Sequence, residues 1–307
     1  MYNEIQRLKD ENDAVLLAHY YVDKEVQKVS DYVGDSYYLA KIANEVPQKT
    51  ILFSGVYFMG ESAKILNPDK TILLPELSAD CPMAHMASIE NIQQIRKKIN
   101  DLAIVCYINS TAALKANCDV CVTSSNAKTI IQNLPHKNIF FVPDAHLGRY
   151  IASLLPEKNF YFNDGFCPVH QRITASQVEA IRKEHPFAPV LAHPECDFSV
   201  LESADYVGST SGIIDYASSC DSQEIIIATE VGVLYELEKR NPHKKFFTVT
   251  SEQICNDMKK ITLDKVITAL KTKTNQIEIS EDLRKKALIP LNRMLDLAVK
   301  QPDRKQA

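Results

Sequence analysis

The chain has 307 residues, 45% of them apolar, enough for one large globular body or two to three ordinary domains. Lys and Arg number 35 against 39 Asp and Glu, and the resulting net charge of −4 argues against a protein that grips nucleic acid or another polyanion by bulk charge. No apolar run is long enough to cross a bilayer, and neither GxGxxG nor GxxxxGK[ST] occurs, which excludes a membrane-spanning role and the common dinucleotide and phosphate-loop sites. The opening MYNEIQRLKDEND carries an amphipathic helical pattern with acidic residues, not a basic and apolar export signal. With eight cysteines in addition, the expected location is the reducing cytoplasm, where thiols stay free.

In chain order, a helix is expected over 2–12, then a short apolar strand, Val15 to Ala18, ending at His19. DYVGDS from Asp31 leads to the hydroxyl of Ser36 and a helix-like YYLAKIANE. A further strand starts at Ile51, a turn follows at Asn67–Pro68, a fourth strand begins after Lys70, and Cys81 closes the unit. The order then repeats. A helix over 88–99 precedes Ala103 to Cys106, ending at Tyr107; Asp119, Ser124, Ile139, Leu155–Pro156, Lys158 and Cys167 follow. A helix over 174–185 precedes Pro189 to Ala192, ending at His193; Asp205, Thr210, Ile225, Asn241–Pro242, Lys244 and Cys255 follow. His19, Tyr107 and His193 lie 88 and 86 residues apart, each hydroxyl comes 17 residues later, and the cysteines are 86 and 88 apart. Two tail helices are expected, over about 257–272 and 281–300, the second with Ser280 as N-cap.

Strands alternating with helices at this spacing imply βαβ units. The expected fold is α/β: three pseudo-threefold-related αβα domains, each with a four-stranded parallel sheet, and an active site at the central axis. Their bounds are 1–86 (with a C-terminal helix, 280–303, packing on the body), 87–172 and 173–279. Ligands bind beyond the carboxyl ends of parallel strands, where the repeated His/Tyr, hydroxyl and cysteine positions fall. A lone buried cysteine is usually inert. Three at one repeated position point instead to a metal with an open coordination position, the arrangement of a Lewis acid. Cys81–Pro82 and Cys167–Pro168 match a frequent companion of cluster cysteines, whereas Cys255 precedes Asn256. Zinc held by the three thiols, with water as fourth ligand, remains open. Ser36, Ser124 and Thr210 each read as N-caps; three such termini turned inward would hold phosphate or carboxylate, and each alone also reads as a structural cap. Glu195, just after a strand, is expected to be tuned towards neutral pH, the alternative being a surface turn at His193–Glu195.

His19–Tyr21, VGDS ending at Ser36, ILNPDK from Ile65, CPMA from Cys81, NST from Asn109, FCPVH from Phe166, AHPEC from Ala192 and DYVGST from Asp205 together resemble the A-type quinolinate synthases, over about residues 2–300. The resemblance implies a 4Fe-4S cluster on Cys81, Cys167 and Cys255 with one open iron. It implies condensation of iminoaspartate with dihydroxyacetone phosphate to quinolinate, phosphate and water, as a step of NAD biosynthesis. L-Aspartate oxidase would supply the imine, through a transient contact, and neither nucleic acid nor membrane would be a partner. Carried-over substrate contacts are His19, Ser36, Tyr107, Ile108, Asn109, Ser124, His193, Pro194, Glu195 and Thr210, with Ile108 and Pro194 acting through backbone. Tyr21 and Glu195 would shuttle protons, and Tyr107 and His193 would complete the catalytic set. His170 would assist substrate entry or orientation. The chain departs from members that carry CxxCxxC at the third ligand, since Cys255 is followed by Asn256, Asp257 and Met258. Cys118–Cys121 is a CxxC that reads as strand and turn, and Cys106, Cys196 and Cys220 read as packing. Rival readings are a reductive dehydroxylase with an open iron, which would need an electron donor, and an iron–sulfur sensor without chemistry.

Overall fold

The computed structural model describes residues 1–298. Among them twelve strands form three sheets. The first holds β1 (Ala14–His19), β2 (Tyr32–Gly34), β3 (Thr50–Ser54) and β4 (Thr71–Leu73); the second β5 (Leu102–Tyr107), β6 (Val120–Val122), β7 (Asn138–Val142) and β8 (Asn159–Phe162); the third β9 (Val190–Ala192), β10 (Tyr206–Val207), β11 (Glu224–Ala228) and β12 (Lys245–Thr248). Each sheet is ordered second–first–third–fourth, and every pairing is parallel. The first and third strands of each sheet are central, and β1 and β5 are buried along their whole length. This explains their unbroken apolar runs: helices cover both faces, so no alternation is required.

The repeated aspartates and lysines prove to be framework. Asp31, Asp119 and Asp205 each accept the amide of the neighbouring first strand on Oδ2, from Leu16, Ile104 and Val190 at 2.7–2.8 Å. Their own amides donate back to the carbonyls of the same three residues at 2.9 Å. This two-way clasp fixes where the second strand begins, and Lys9, Arg96 and Arg182 from the opening helices pair with the carboxylates. Lys70, Lys158 and Lys244 donate to carbonyls at the C-terminal ends of the helices Ser36–Glu45, Ala127–Gln132 and Thr210–Ser219: Ala43 and Ala217 lie in a last turn, and Val46, Leu134, His136 and Cys220 just beyond, where carbonyls have no partner within the helix.

Two expectations need adjustment. The helix over 257–272 is two helices, Asn256–Lys259 and Leu263–Thr272, broken where Ile261 turns inward to full burial and Thr262 takes an extended N-cap conformation. The last helix runs Glu281–Ala298, and the expected residues 299–303 lie outside the described ones. Ser280 accepts at its start as expected. The buried Ala287, Leu291 and Met294 seat this helix against β6 and the helices Tyr57–Leu66, Ala112–Lys115 and Ala127–Gln132, bridging the first and second sheets. No helix among the described residues is long and apolar enough to cross a membrane.

Candidate active site

The carboxyl ends of strands from all three sheets border one cavity of about 310 Å³. His19 ends β1, Tyr107 ends β5 and His193 follows β9, so equivalent positions of three sheets reach the same space. Ser36, Asn109, Ser124, Glu195 and Thr210 also line it, as do Tyr21 and the three cysteines, Cys81, Cys167 and Cys255. Ile108 and Pro194 do not. The Ile108 amide donates to Val122 O at 2.8 Å, so it is spent on the fold, and its side chain faces a separate small void. Pro194 is buried off the cavity wall.

The three hydroxyls are not the N-caps expected. Asp35 caps the first helix through Tyr38 N at 3.0 Å and Ser209 the third through Gly212 N at 3.2 Å, leaving Ser36 and Thr210 as first helical residues. In the second copy the Asn126 side chain accepts from Thr123 N at 2.7 Å, a turn that delays the helix to Ala127. Ser124 therefore stands in a turn, and of these three helices only the first and third, each ten residues long, begin at the cavity. A displaced cap frees each hydroxyl to bond elsewhere. Thr210 Oγ1 meets Tyr21 Oη at 2.8 Å, and Ser124 Oγ meets His193 Nε2 at 3.3 Å.

His19 and His193 are held alike. The amide two residues on, of Tyr21 and of Glu195, donates to Nδ1 at 3.1 and 3.3 Å. With Nδ1 an acceptor, the neutral ring carries its proton on Nε2. Burial pushes both imidazoles down to about 3, so at neutral pH each presents an N–H donor without a charge. Burial also raises Tyr21 and Tyr107 well above the usual phenol range, keeping both protonated. Glu195 departs from its expectation. Burial raises a lone carboxyl, but here His193 and His170 beside it and hydrogen bonds from His170 and Tyr107 outweigh that, holding it below the ordinary carboxylate range. Tyr107 Oη donates to Glu195 Oε1 at 2.5 Å, and His170 Nδ1 lies 2.8 Å from Oε2.

Three contributors lie where the sequence was not searched, just after the third strand of a sheet. Thr229 Oγ1 shares hydrogen bonds with Tyr21 Oη at 2.9 Å and His170 Nε2 at 2.9 Å. Glu230, fully buried, accepts from Cys255 N at 3.0 Å and from Lys259 Nζ at 3.2 Å, bracing the third cysteine's loop. Asp144 caps the helix Ala145–Leu154 and is pushed well up by burial and then by Glu195. The strand-end rule that selected the other positions applies equally to these. His170, named on weaker grounds, sits at the centre of the hydrogen-bonded set and is 1% exposed.

The three thiols fit a shared metal group. All are free, and all face one cavity. Burial pushes them up, Cys255 to about 11; Cys81 is raised further by Cys255 and Glu195, and Cys167 by Glu195, Cys81 and Cys255. Backbone N–H groups of Ala84 and Met83, of His170, and of Met258 and Asp257 favour the three thiolates in turn, the environment that iron-bound sulfur uses. Cys106, Cys118, Cys121 and Cys196 are buried away from the cavity, as packing residues should be.

The family model described as NadA, quinolinate synthetase A protein, matches residues 3–296. The chain belongs to this family. Among curated relatives of the quinolinate synthetase A family, the quinolinate synthase of Fusobacterium nucleatum is 50% identical over 97% of this chain and 99% of its own. Those of Caldicellulosiruptor bescii and Clostridioides difficile are 48% and 46% identical, each over 96% of this chain and 97% of their own.

Proposed function

We propose that the chain is a quinolinate synthase that condenses iminoaspartate with dihydroxyacetone phosphate, and that Cys81, Cys167 and Cys255 hold a 4Fe-4S cluster. The observation that carries this reading is the convergence of three free thiols, two neutral imidazole donors and two helix N-termini on one cavity. Atom balance requires release of phosphate and two waters with no net redox change, so the site must bind anions and move protons. When bound, the cluster supplies an iron with an open position, a Lewis acid for a substrate oxygen or nitrogen. The Nε2–H groups of His19 and His193 and the N-termini at Ser36 and Thr210 bind carboxylate and phosphate oxygens. Asn109 Oδ1, buried and without a protein partner, accepts from a substrate hydroxyl or imine N–H.

Proton transfer uses a continuous chain: Tyr21 Oη, Thr229 Oγ1, His170, Glu195 and Tyr107 Oη, each link between 2.5 and 2.9 Å. Glu195 is the ionised member and takes protons during enolisation; Tyr21 is the protonated end and delivers one to a departing hydroxyl. His170 relays between them, a larger role than assisting entry. The low position of Glu195 makes it a weak base at rest, and a substrate proton gains driving force once Tyr107 turns its hydroxyl to a ligand. Because the imine hydrolyses readily, its source, L-aspartate oxidase, belongs in the same compartment, the cytoplasm. The test is anaerobic purification, iron and sulfide analysis, and turnover with both substrates and no reductant. About four irons per chain and quinolinate formation, both lost in Cys81→Ser, support the reading. Product only with an electron donor would move it to a reductive dehydroxylase.

A further inference from the structure

The side chains of Cys167, His170 and Glu195 offer three ligand atoms all within 4.8 Å of one another. His170 Nδ1 stands 3.2 Å from Cys167 Sγ and 2.8 Å from Glu195 Oε2. In a tetrahedral zinc site, with Zn–N and Zn–O near 2.1 Å and Zn–S near 2.3 Å, nitrogen lies about 3.4 Å from oxygen and about 3.6 Å from sulfur. These two spacings are shorter than that by about 0.6 and about 0.4 Å, so the side chains must part slightly to admit the ion. Both side-chain ligands are braced from behind: Thr229 Oγ1 bonds the far nitrogen of His170, and Tyr107 Oη donates to the far oxygen of Glu195. Such outer partners fix ring and carboxylate orientation at metal sites. Cys167 borders the cavity, which leaves a fourth direction open.

We propose that the metal-free chain binds one zinc ion through Cys167 Sγ, His170 Nδ1 and Glu195 Oε2, at a position that shares only Cys167 with the three-thiol site. On binding, the Cys167 thiol gives up its proton and the ring proton of His170 moves from Nδ1 to Nε2, where Thr229 Oγ1 accepts it. A soft thiolate with imidazole and carboxylate is a donor set that suits zinc over magnesium or calcium. Cys167 would be shared with the cluster, so zinc would block cluster assembly; that consequence rests on the cluster reading above, while the binding site itself does not.

The experiment titrates the chelator-stripped full-length chain with zinc against a chromophoric competitor, and with cobalt as an optical stand-in. One zinc per chain is expected. Affinity should fall by about tenfold or more in His170→Ala and in the near-isosteric Glu195→Gln, and stay within about threefold of wild type in Cys81→Ala and Cys255→Ala. The cobalt charge-transfer band should have the intensity of a single thiolate. A band of three thiolates, or one lost in Cys81→Ala or Cys255→Ala, would overturn the site by putting the metal on the cysteine triad. Superimposable wild-type and Glu195→Gln titrations would overturn it too. Iron and sulfide uptake is measured separately with and without prior zinc. Failure of uptake without zinc would count against the cluster reading alone, and undiminished uptake after zinc loading would remove the proposed competition.

Discussion

Asn109 offers a perturbation whose two readouts move in opposite senses. Its Oδ1 is buried at the cavity with no hydrogen-bond partner, a condition that costs about 1–3 kcal/mol in the free protein. Asn109→Ala keeps Cβ and deletes the orphaned acceptor, so the unliganded chain should be unchanged or stabilised by up to about 1 kcal/mol. For a chain of this size that is at most about 2–3 °C in Tm. Ligand binding should suffer, because the same acceptor is satisfied only when a substrate hydroxyl or N–H arrives. Losing that bond at about 1–3 kcal/mol corresponds to roughly 5- to 150-fold in affinity. If the bond is equally present in ground and transition states, KM rises and kcat holds. The assays are thermal melting of the cluster-free protein and quinolinate formation by the anaerobic, cluster-loaded enzyme across substrate concentrations. A Tm lowered by more than about 3 °C with KM unchanged would refute the reasoning, since the amide would then be supporting the fold and not waiting for a ligand.

Tyr21→Phe should remove the bonds to Thr210 and Thr229 while keeping the ring, lowering kcat by about 10²- to 10⁴-fold with cluster content intact; normal turnover would exclude Tyr21 from proton transfer. Lys158→Met should destabilise by about 1–2 kcal/mol, because Leu134 and His136 carbonyls lose a charged donor that is partly solvent-screened. Urea unfolding measures it, and a change under about 0.3 kcal/mol would mean that water replaces the lysine. His19 is held at about 3 against 6.5 for an ordinary imidazole, so the unfolded chain binds the extra proton. Its share of stability is therefore full above pH 6.5 and lost as pH falls towards 3, at about 1.4 kcal/mol per pH unit. Unfolding of the cluster-free protein at pH 7, 6 and 5 should show a shallower acid slope for His19→Gln, and parallel slopes would contradict a buried neutral ring.

The repeated strands, the parallel sheets and part of the cavity wall were legible in the sequence, because a buried parallel strand must be an apolar run and its carboxyl end must carry whatever meets a ligand. Register alone picked out His19, Tyr107, His193 and the three cysteines. The same register flagged Asp31, Asp119 and Asp205 without saying what they do, since a clasp to a neighbouring strand shows only when the two strands lie side by side. Helix starts were misjudged by one or two residues because caps compete locally: Asp35 and Ser209 won over the following hydroxyls, and Asn126 built a turn of its own. Ile108 does not border the cavity, and its amide has a strand partner. The direction of Glu195 was decided largely by tertiary structure. Burial, which the sequence foretold, pushes a carboxyl up; what reverses it is His193, two residues away, together with His170, from a segment 25 residues earlier, and Tyr107, from another sheet. Periodicity along one chain thus singled out three strand ends, three hydroxyls and three cysteines that all reach the cavity. Which of them touch, and so which proton sits where, depends on distances between chain segments that no spacing encodes.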